Sequence, residues 1–259
     1  MALNAASEAS NILLNSDGLV SVSLKESFRD VVTKYDYKIQ DIILNKLNGS
    51  HYPVLSEELL RDYDSEILNS ETYWIVDPID GTVNFAHNIP LYAVSIGLFH
   101  KMDFPVGVVS IPAQRELYFI SPENTAYRNG EKIICDYEID FCHGLISASF
   151  SSLKNSMLRA NEYSLFGELN DSCRGCLRLG SAAVSICFVA TKRLNAAYGL
   201  GVKIWDIAGA IAIAKAAQYE VWFNIKEDKI SADFIVGSPN MVRGILGLLK
   251  KYNFLSKDA

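Results

Sequence analysis

Trp74-Ile75-Val76-Asp77-Pro78-Ile79-Asp80-Gly81-Thr82-Val83-Asn84-Phe85 is the stretch around which the rest of the chain is read. The apolar run 73–76 predicts the buried end of a strand. Asp77-Pro78 is expected to stop that strand, because proline has no amide hydrogen for a ladder and steers the residue before it away from helix. Gly81-Thr82 then opens a short helix. Two aspartates at i and i+3 beside a helix N-terminus combine opposite demands, since free N–H groups attract anions and carboxylates attract cations. A metal ion holding a phosphate satisfies both, and it requires further ligands from elsewhere in the chain.

Upstream, residues 1–16 read as a helix, followed by a turn at Ser16-Asp17-Gly18 and an extended segment over 19–24. Residues 31–36 lead into a second helix with Ile39, Ile42, Ile43 and Leu47 on one face and Asp36 as its cap. Residues 51–59 form an extended approach that ends in Glu57-Glu58, a pair that by itself reads as a solvated first turn. Downstream, 92–99 alternates as a strand, 106–111 and 115–120 form a hairpin, and Asn129-Gly130 marks a tight turn. A first α+β lobe over residues 1–143 is expected. Beyond it come strands near 145–150, 173–179, 194–198, 219–225 and 234–237. Helices over 151–165, 181–192 and 206–217 and a last one from Pro239 separate them, which predicts an α/β lobe over 144–259.

The 259 residues are enough to bury a large core. A formal net charge of -6 argues against a general nucleic-acid binder, which needs a basic surface. No apolar run approaches the ~18 residues of a membrane span. Five cysteines, an odd number, and an N-terminus without a basic leader imply reduced thiols in a cytoplasm.

Two further segments bear on the chemistry. Gly180-Ser181-Ala182-Ala183 opens a helix, with small residues that let a backbone approach a ligand and a serine that suits a cap. Trp205-Asp206-Ile207-Ala208-Gly209 starts a helix that is apolar nearly all round and therefore buried, so its aspartate needs a partner, either a cap or a metal. Cys173-Arg174-Gly175-Cys176 lacks the second pair or histidines of a zinc set and reads as coincidence. His51, His87, His100 and His143 form no metal pair. No GxSxG elbow supports a serine hydrolase.

Asp77-Pro78-Ile79-Asp80-Gly81-Thr82 with Asn84-Phe85, and Trp205-Asp206-Ile207-Ala208-Gly209 about 125 residues later, together resemble the inositol monophosphatase family. The resemblance runs from about Lys25 to the C-terminal helix. It implies a layered αβαβα sandwich and a Mg²⁺-dependent, typically lithium-sensitive phosphomonoesterase, usually a homodimer, with two or three Mg²⁺ ions per site. It implies Glu57, Asp77, the Ile79 carbonyl, Asp80 and Asp206 as metal ligands. Thr82 with Asp36, aided by Glu57, would orient and deprotonate the attacking water, and Lys25 falls where the family often has an active-site lysine. Asp80, Gly81, Thr82, Gly180, Ser181, Ala182 and Asp206 would line the substrate site. Mg²⁺ favours oxygen ligands and bridges carboxylates to phosphate, and paired ions stabilise both oxygens of an in-line displacement.

Two positions depart from the family pattern. Gly199 stands where inositol phosphatases carry a glutamate that contacts inositol hydroxyls, and Ala217-Gln218-Tyr219 replaces a Gly-Gly. The expected substrate is therefore a small phosphomonoester, either inositol monophosphate or another sugar or polyol phosphate. Histidinol phosphate, 3′-phosphoadenosine 5′-phosphate and fructose bisphosphate remain open, as does a non-enzymatic regulatory homologue.

Overall fold

A computed structural model of the chain describes residues 1–16, 22–24, 31–59, 65–150 and 156–255. Lys25, the Asp17-Gly18 turn and residues 19–21 of the extended segment over 19–24 lie outside the described residues.

The first half contains α1 (Ala2–Leu14), β1 (Val22–Leu24), β2 (Val31–Thr33), α2 (Lys34–Leu47) and β3 (Val54–Ser56). Next come α3 (Ser65–Asn69), β4 (Thr72–Asp80), α4 (Thr82–Ala86), β5 (Ala93–His100), β6 (Asp103–Ile111), β7 (Glu116–Ile120), β8 (Ala126–Arg128) and β9 (Glu131–Lys132). The second half contains β10 (Leu145–Ser149), α5 (Ser156–Ser172), β11 (Gly175–Leu177), α6 (Ala182–Ala190) and β12 (Ala196–Lys203). It ends with α7 (Ile204–Ala216), β13 (Glu220–Ile225), β14 (Ser231–Gly237) and α8 (Pro239–Lys251).

Strands β3 to β9 form one sheet in chain order, antiparallel except for the parallel pair β3–β4. The other large sheet has the order β11-β10-β12-β14-β13, parallel on one side and antiparallel on the other. Successive residues of β4 enter different cores. Trp74 and Val76 pack with α1 and α2, whereas Tyr73 and Ile75 pack with α6 and α7. A strand covered on both faces needs an unbroken apolar run, which is why 73–76 carries no polar alternation. Helices α6 and α7 fill the space between the two sheets, and α5 and α8 cover the far face of the smaller one against Ile146, Tyr198 and Ile235. The layers are therefore helix, sheet, helix, sheet, helix, as the resemblance implies.

Helix α7 is apolar all round because it is walled on both sides. Its approach to the larger sheet is closer than side chains permit. A Cβ on Gly209 would lie 2.9 Å from the Ile96 carbonyl oxygen, and one on Gly107 would lie 2.3 Å from the Gly209 carbonyl oxygen. The glycine of the second motif thus has a packing reason.

Several boundaries differ from expectation. Strand β4 does not stop at Pro78 but runs to Asp80, because its register against β5 shifts between Asp77 and Asp80, where a missing amide hydrogen costs no ladder bond. The helix expected over 151–165 is described from Ser156 to Ser172, and β12 extends past 198 to Lys203. Neither Asp36 nor Asp206 is an N-cap; each is the third residue of its helix and reaches back to the cap residue's backbone. Asn129 and Gly130, at φ of 50° and 85°, form the expected tight turn between β8 and β9. Gln218 takes the left-handed conformation (φ 65°) where the Gly-Gly is missing. Among the described residues, no helix is long and apolar enough to cross a membrane.

Candidate active site

At the end of β4 the chain turns on its own side chains. Asp77 Oδ1 accepts from the Ile79 N–H at 3.0 Å, and Gly81 takes a φ of 92° that a side chain would strain. A Cβ there would also meet the Leu91 carbonyl oxygen at 3.0 Å and Ser181 Cβ at 3.2 Å. Thr82 begins α4, and its single hydroxyl hydrogen can go to either the Ile79 carbonyl (2.9 Å) or Asp36 Oδ1 (3.2 Å).

Asp36 is buried and pinned at its other oxygen. Asp36 Oδ2 accepts from the Thr33 N–H at 2.7 Å and from the Thr33 hydroxyl at 2.6 Å. Thr33 is the cap of α2, and Thr33-x-x-Asp36 is a capping box. That spacing is visible in the sequence and could have been read there.

Asp77, Asp80 and Asp206 each offer a carboxylate oxygen within 4.8 Å of the others. They come from different places: two from the bulged end of β4 and one from the first turn of α7. Burial raises the Asp77 carboxyl well above its ordinary range, and the charges of Glu57, Asp80, Asp206 and Asp36 add to the rise. Burial pushes Asp80 up to about 7, against hydrogen bonds from Ser181, Ala183 and Ala182 that pull it down. Asp206 is raised well above its range by burial and then by Asp80 and Glu57, with partial relief from the Lys203 N–H and the Lys203 charge. Glu57, half-buried just past the end of β3, is therefore close enough to act on all three.

Carboxylates gathered in a poorly hydrated pocket repel one another and require protons or a cation. The donors are all oxygens, the set that suits a hard divalent cation such as Mg²⁺. The cluster fits metal binding.

Supporting contacts fix the carboxylates. Ser181 caps α6 by accepting from the Val184 N–H at 3.1 Å, and its hydroxyl donates to Asp80 Oδ2 at 2.5 Å. The Ala183 N–H donates to the same oxygen at 2.7 Å. Ser181 is buried, and Gly180 beside it is exposed with a φ of 83°. A Cβ on Gly180 would lie 2.9 Å from Asn84 Nδ2, which donates to the Leu91 and Leu179 carbonyls. Ser56 donates to Gln40 Oε1 at 2.5 Å and so ties the strand end before Glu57 to α2. Sequence reasoning assigned no role to Asn84, Gln40 or Ser56, whose partners are up to 95 residues away.

Gly199 lies in β12 opposite Phe234, whose fully buried ring would be 2.6 Å from a Cβ at that position. The cysteine pair stays outside the cluster. Burial pushes the Cys176 thiol up to about 12, and all five cysteines are free. All four histidines are exposed.

A model of the inositol monophosphatase family matches residues 1–237. Human inositol monophosphatase 1 is 31% identical over 207 residues, covering 76% of this chain and 73% of that protein. The Nus factor SuhB of Pasteurella multocida is 29% identical over 260 residues, covering 96% and 94%. Among solved structures, the extragenic suppressor protein suhB from Bartonella henselae superposes with a TM-score of 0.83 at 26% identity, over 96% of this chain and 97% of that one. With both motifs, the layered fold and these matches in agreement, the chain belongs to the inositol monophosphatase family.

Proposed function

We propose that the protein is a Mg²⁺-dependent phosphomonoesterase acting on a small phosphorylated molecule. The observation that carries this reading is the convergence of Asp77, Asp80 and Asp206 from two distant motifs, with Glu57 close enough to raise their affinity for protons. Glu57, Asp77, the Ile79 carbonyl, Asp80 and Asp206 would hold two or three Mg²⁺ ions. When bound, they would offset negative charge on the phosphoryl oxygens.

The remaining steps belong to the chain's own groups. The Thr82 hydroxyl, by donating toward Asp36 Oδ1, leaves lone pairs that accept a hydrogen from the attacking water. A proton taken from that water passes through Thr82 to Asp36, aided by Glu57. The N–H groups of Gly81 and Thr82, at the start of α4, would hold the phosphate. Ser181 and Ala183 keep Asp80 aimed, while Gly180 and Ala182 would form the adjoining wall.

The reading extends to a cytoplasmic, lithium-sensitive homodimer whose two lobes divide at residues 143 and 144. A relative across nearly the whole chain is named a Nus factor, which keeps a non-enzymatic role as the second reading. The test is a phosphate-release screen over phosphomonoesters with and without Mg²⁺, including inositol monophosphate, histidinol phosphate, 3′-phosphoadenosine 5′-phosphate and fructose bisphosphate. Mg²⁺-dependent release that is lost in Asp206→Asn supports the enzyme. Silence across the panel refutes it in favour of the second reading.

A further inference from the structure

Strand β12 delivers the chain directly into α7 and its Asp206, and it does so through a bulge. Its register against β14 shifts between Gly199 and Val202, and Gly201 sits at a φ of 59°. The Gly201 N–H donates to Asp233 Oδ1 at 2.8 Å, while the other Asp233 oxygen is paired with Lys226. A bulge of this kind re-aims the side chains that follow it.

Before the bulge, the wall is closed. The buried Phe234 ring fills the space that any side chain at 199 would need. After the bulge comes Lys203, half-buried, the last residue before α7. Its Nζ lies 5.7 Å from the ring centroid of Trp205, a buried neighbour of Asp206. Its charge acts on both Asp206 and Asp228. Among the described residues it makes no ion pair; Asp228 instead spends Oδ1 on the N–H groups of Ile230 and Ser231. A half-buried amine beside an acidic centre, without a carboxylate in direct contact, has capacity for another anion.

We propose that Lys203 determines specificity by pairing with a second anionic group, a carboxylate or a further phosphate, on the leaving group of the phosphomonoester. This rests on the phosphomonoesterase reading. The closed wall at Gly199 and Phe234 provides no side chain to read hydroxyls, and the one cation delivered by the same strand reads charge instead.

The test compares wild type, Lys203→Met and Lys203→Arg on two matched pairs. These are 3-phosphoglycerate against glycerol 3-phosphate, and fructose 1,6-bisphosphate against fructose 6-phosphate. Phosphate release is measured with Mg²⁺, and binding of the same four compounds by calorimetry with Ca²⁺ in its place. Wild type is expected to favour the more anionic member of at least one pair by about tenfold in kcat/KM, as one charge-assisted contact supplies. Lys203→Met brings that ratio near one, chiefly through KM, and Lys203→Arg keeps it. An amine that only screens the carboxylates would lower both members of a pair alike in Lys203→Met, and that result overturns the proposal. So does a wild type with no preference in either pair. Absence of phosphate release from these four compounds and from the wider phosphomonoester panel refutes the phosphomonoesterase reading instead. The calorimetric ratios then decide whether Lys203 selects an anion.

Discussion

Replacing Asp80 with asparagine tests whether the acidic cluster is destabilised by its own charge until a cation arrives. The Asp80 carboxyl is raised from 3.8 to about 7 in the folded chain. A raised acid keeps its proton in the folded state after the unfolded state has lost it, so stability falls as pH rises from about 4 to about 7. Three pH units at 1.36 kcal/mol each make the cost about 4 kcal/mol above neutrality. Asparagine does not ionise, so the variant escapes that cost, which already counts the strengthening of the Ser181 and Ala183 hydrogen bonds when the carboxylate forms. The gain is about 4 kcal/mol at pH 8 without metal, or a Tm roughly 8 °C above wild type for a chain of this size. At pH 4 the advantage disappears. Mg²⁺ at a hundredfold excess over its Kd adds about 2.7 kcal/mol to wild type, raising its Tm by about 5 °C, and adds far less to the variant. Scanning calorimetry from pH 4 to 8.5, in chelator and in Mg²⁺, reads both effects. A variant less stable than wild type at pH 8 in chelator, beside a wild type indifferent to Mg²⁺, refutes the reasoning.

Thr82→Ala removes the hydroxyl between Asp36 and Ile79 and is expected to lower kcat by about 10²–10⁴ while the Mg²⁺-induced rise in Tm is kept; kinetics and melting on one preparation check both. Thr33→Ala deletes the α2 cap and costs about 1 kcal/mol, read as a Tm lowered by about 2 °C. It also lowers kcat, because one Asp36 oxygen loses a donor. Gly209→Ala drives a methyl against the Ile96 and Val108 carbonyls and is expected to cost about 1–3 kcal/mol. Gly167→Ala in α5, with open space around its Cβ, is expected to raise the Tm slightly in the same assay.

The two motifs were legible because each carries a local signature: aspartates at a strand end before Gly-Thr, and an aspartate opening an apolar helix. The apolar run 73–76 announced a buried strand, and the alternation after residue 144 announced an α/β arrangement, though not its mixed strand directions. Strand ends were less legible. Pro78 reads as a stop in one dimension, yet the bulge absorbs its missing N–H and carries the strand on to Asp80. Asp36 reads as a cap because aspartate suits that position when taken singly, although its spacing from Thr33 marks Thr33 as the cap. The supporting contacts of Asn84, Gln40 and Ser56 left no local trace, since their partners come from distant segments.

By itself, the sequence determined the family, the succession of strands and helices and the oxygen-rich residues available for a metal. These follow from motif spacing and hydrophobic period, which are properties of neighbours along the chain. Only the tertiary structure decided that Asp206 meets Asp77 and Asp80 within 4.8 Å, that Ser181 is spent on holding Asp80, and that Phe234 closes the space at Gly199. The physical reason is that desolvation and charge repulsion depend on distance through space, and α7 brings its aspartate into the cluster by crossing the sheet where Gly97, Gly107 and Gly209 leave room.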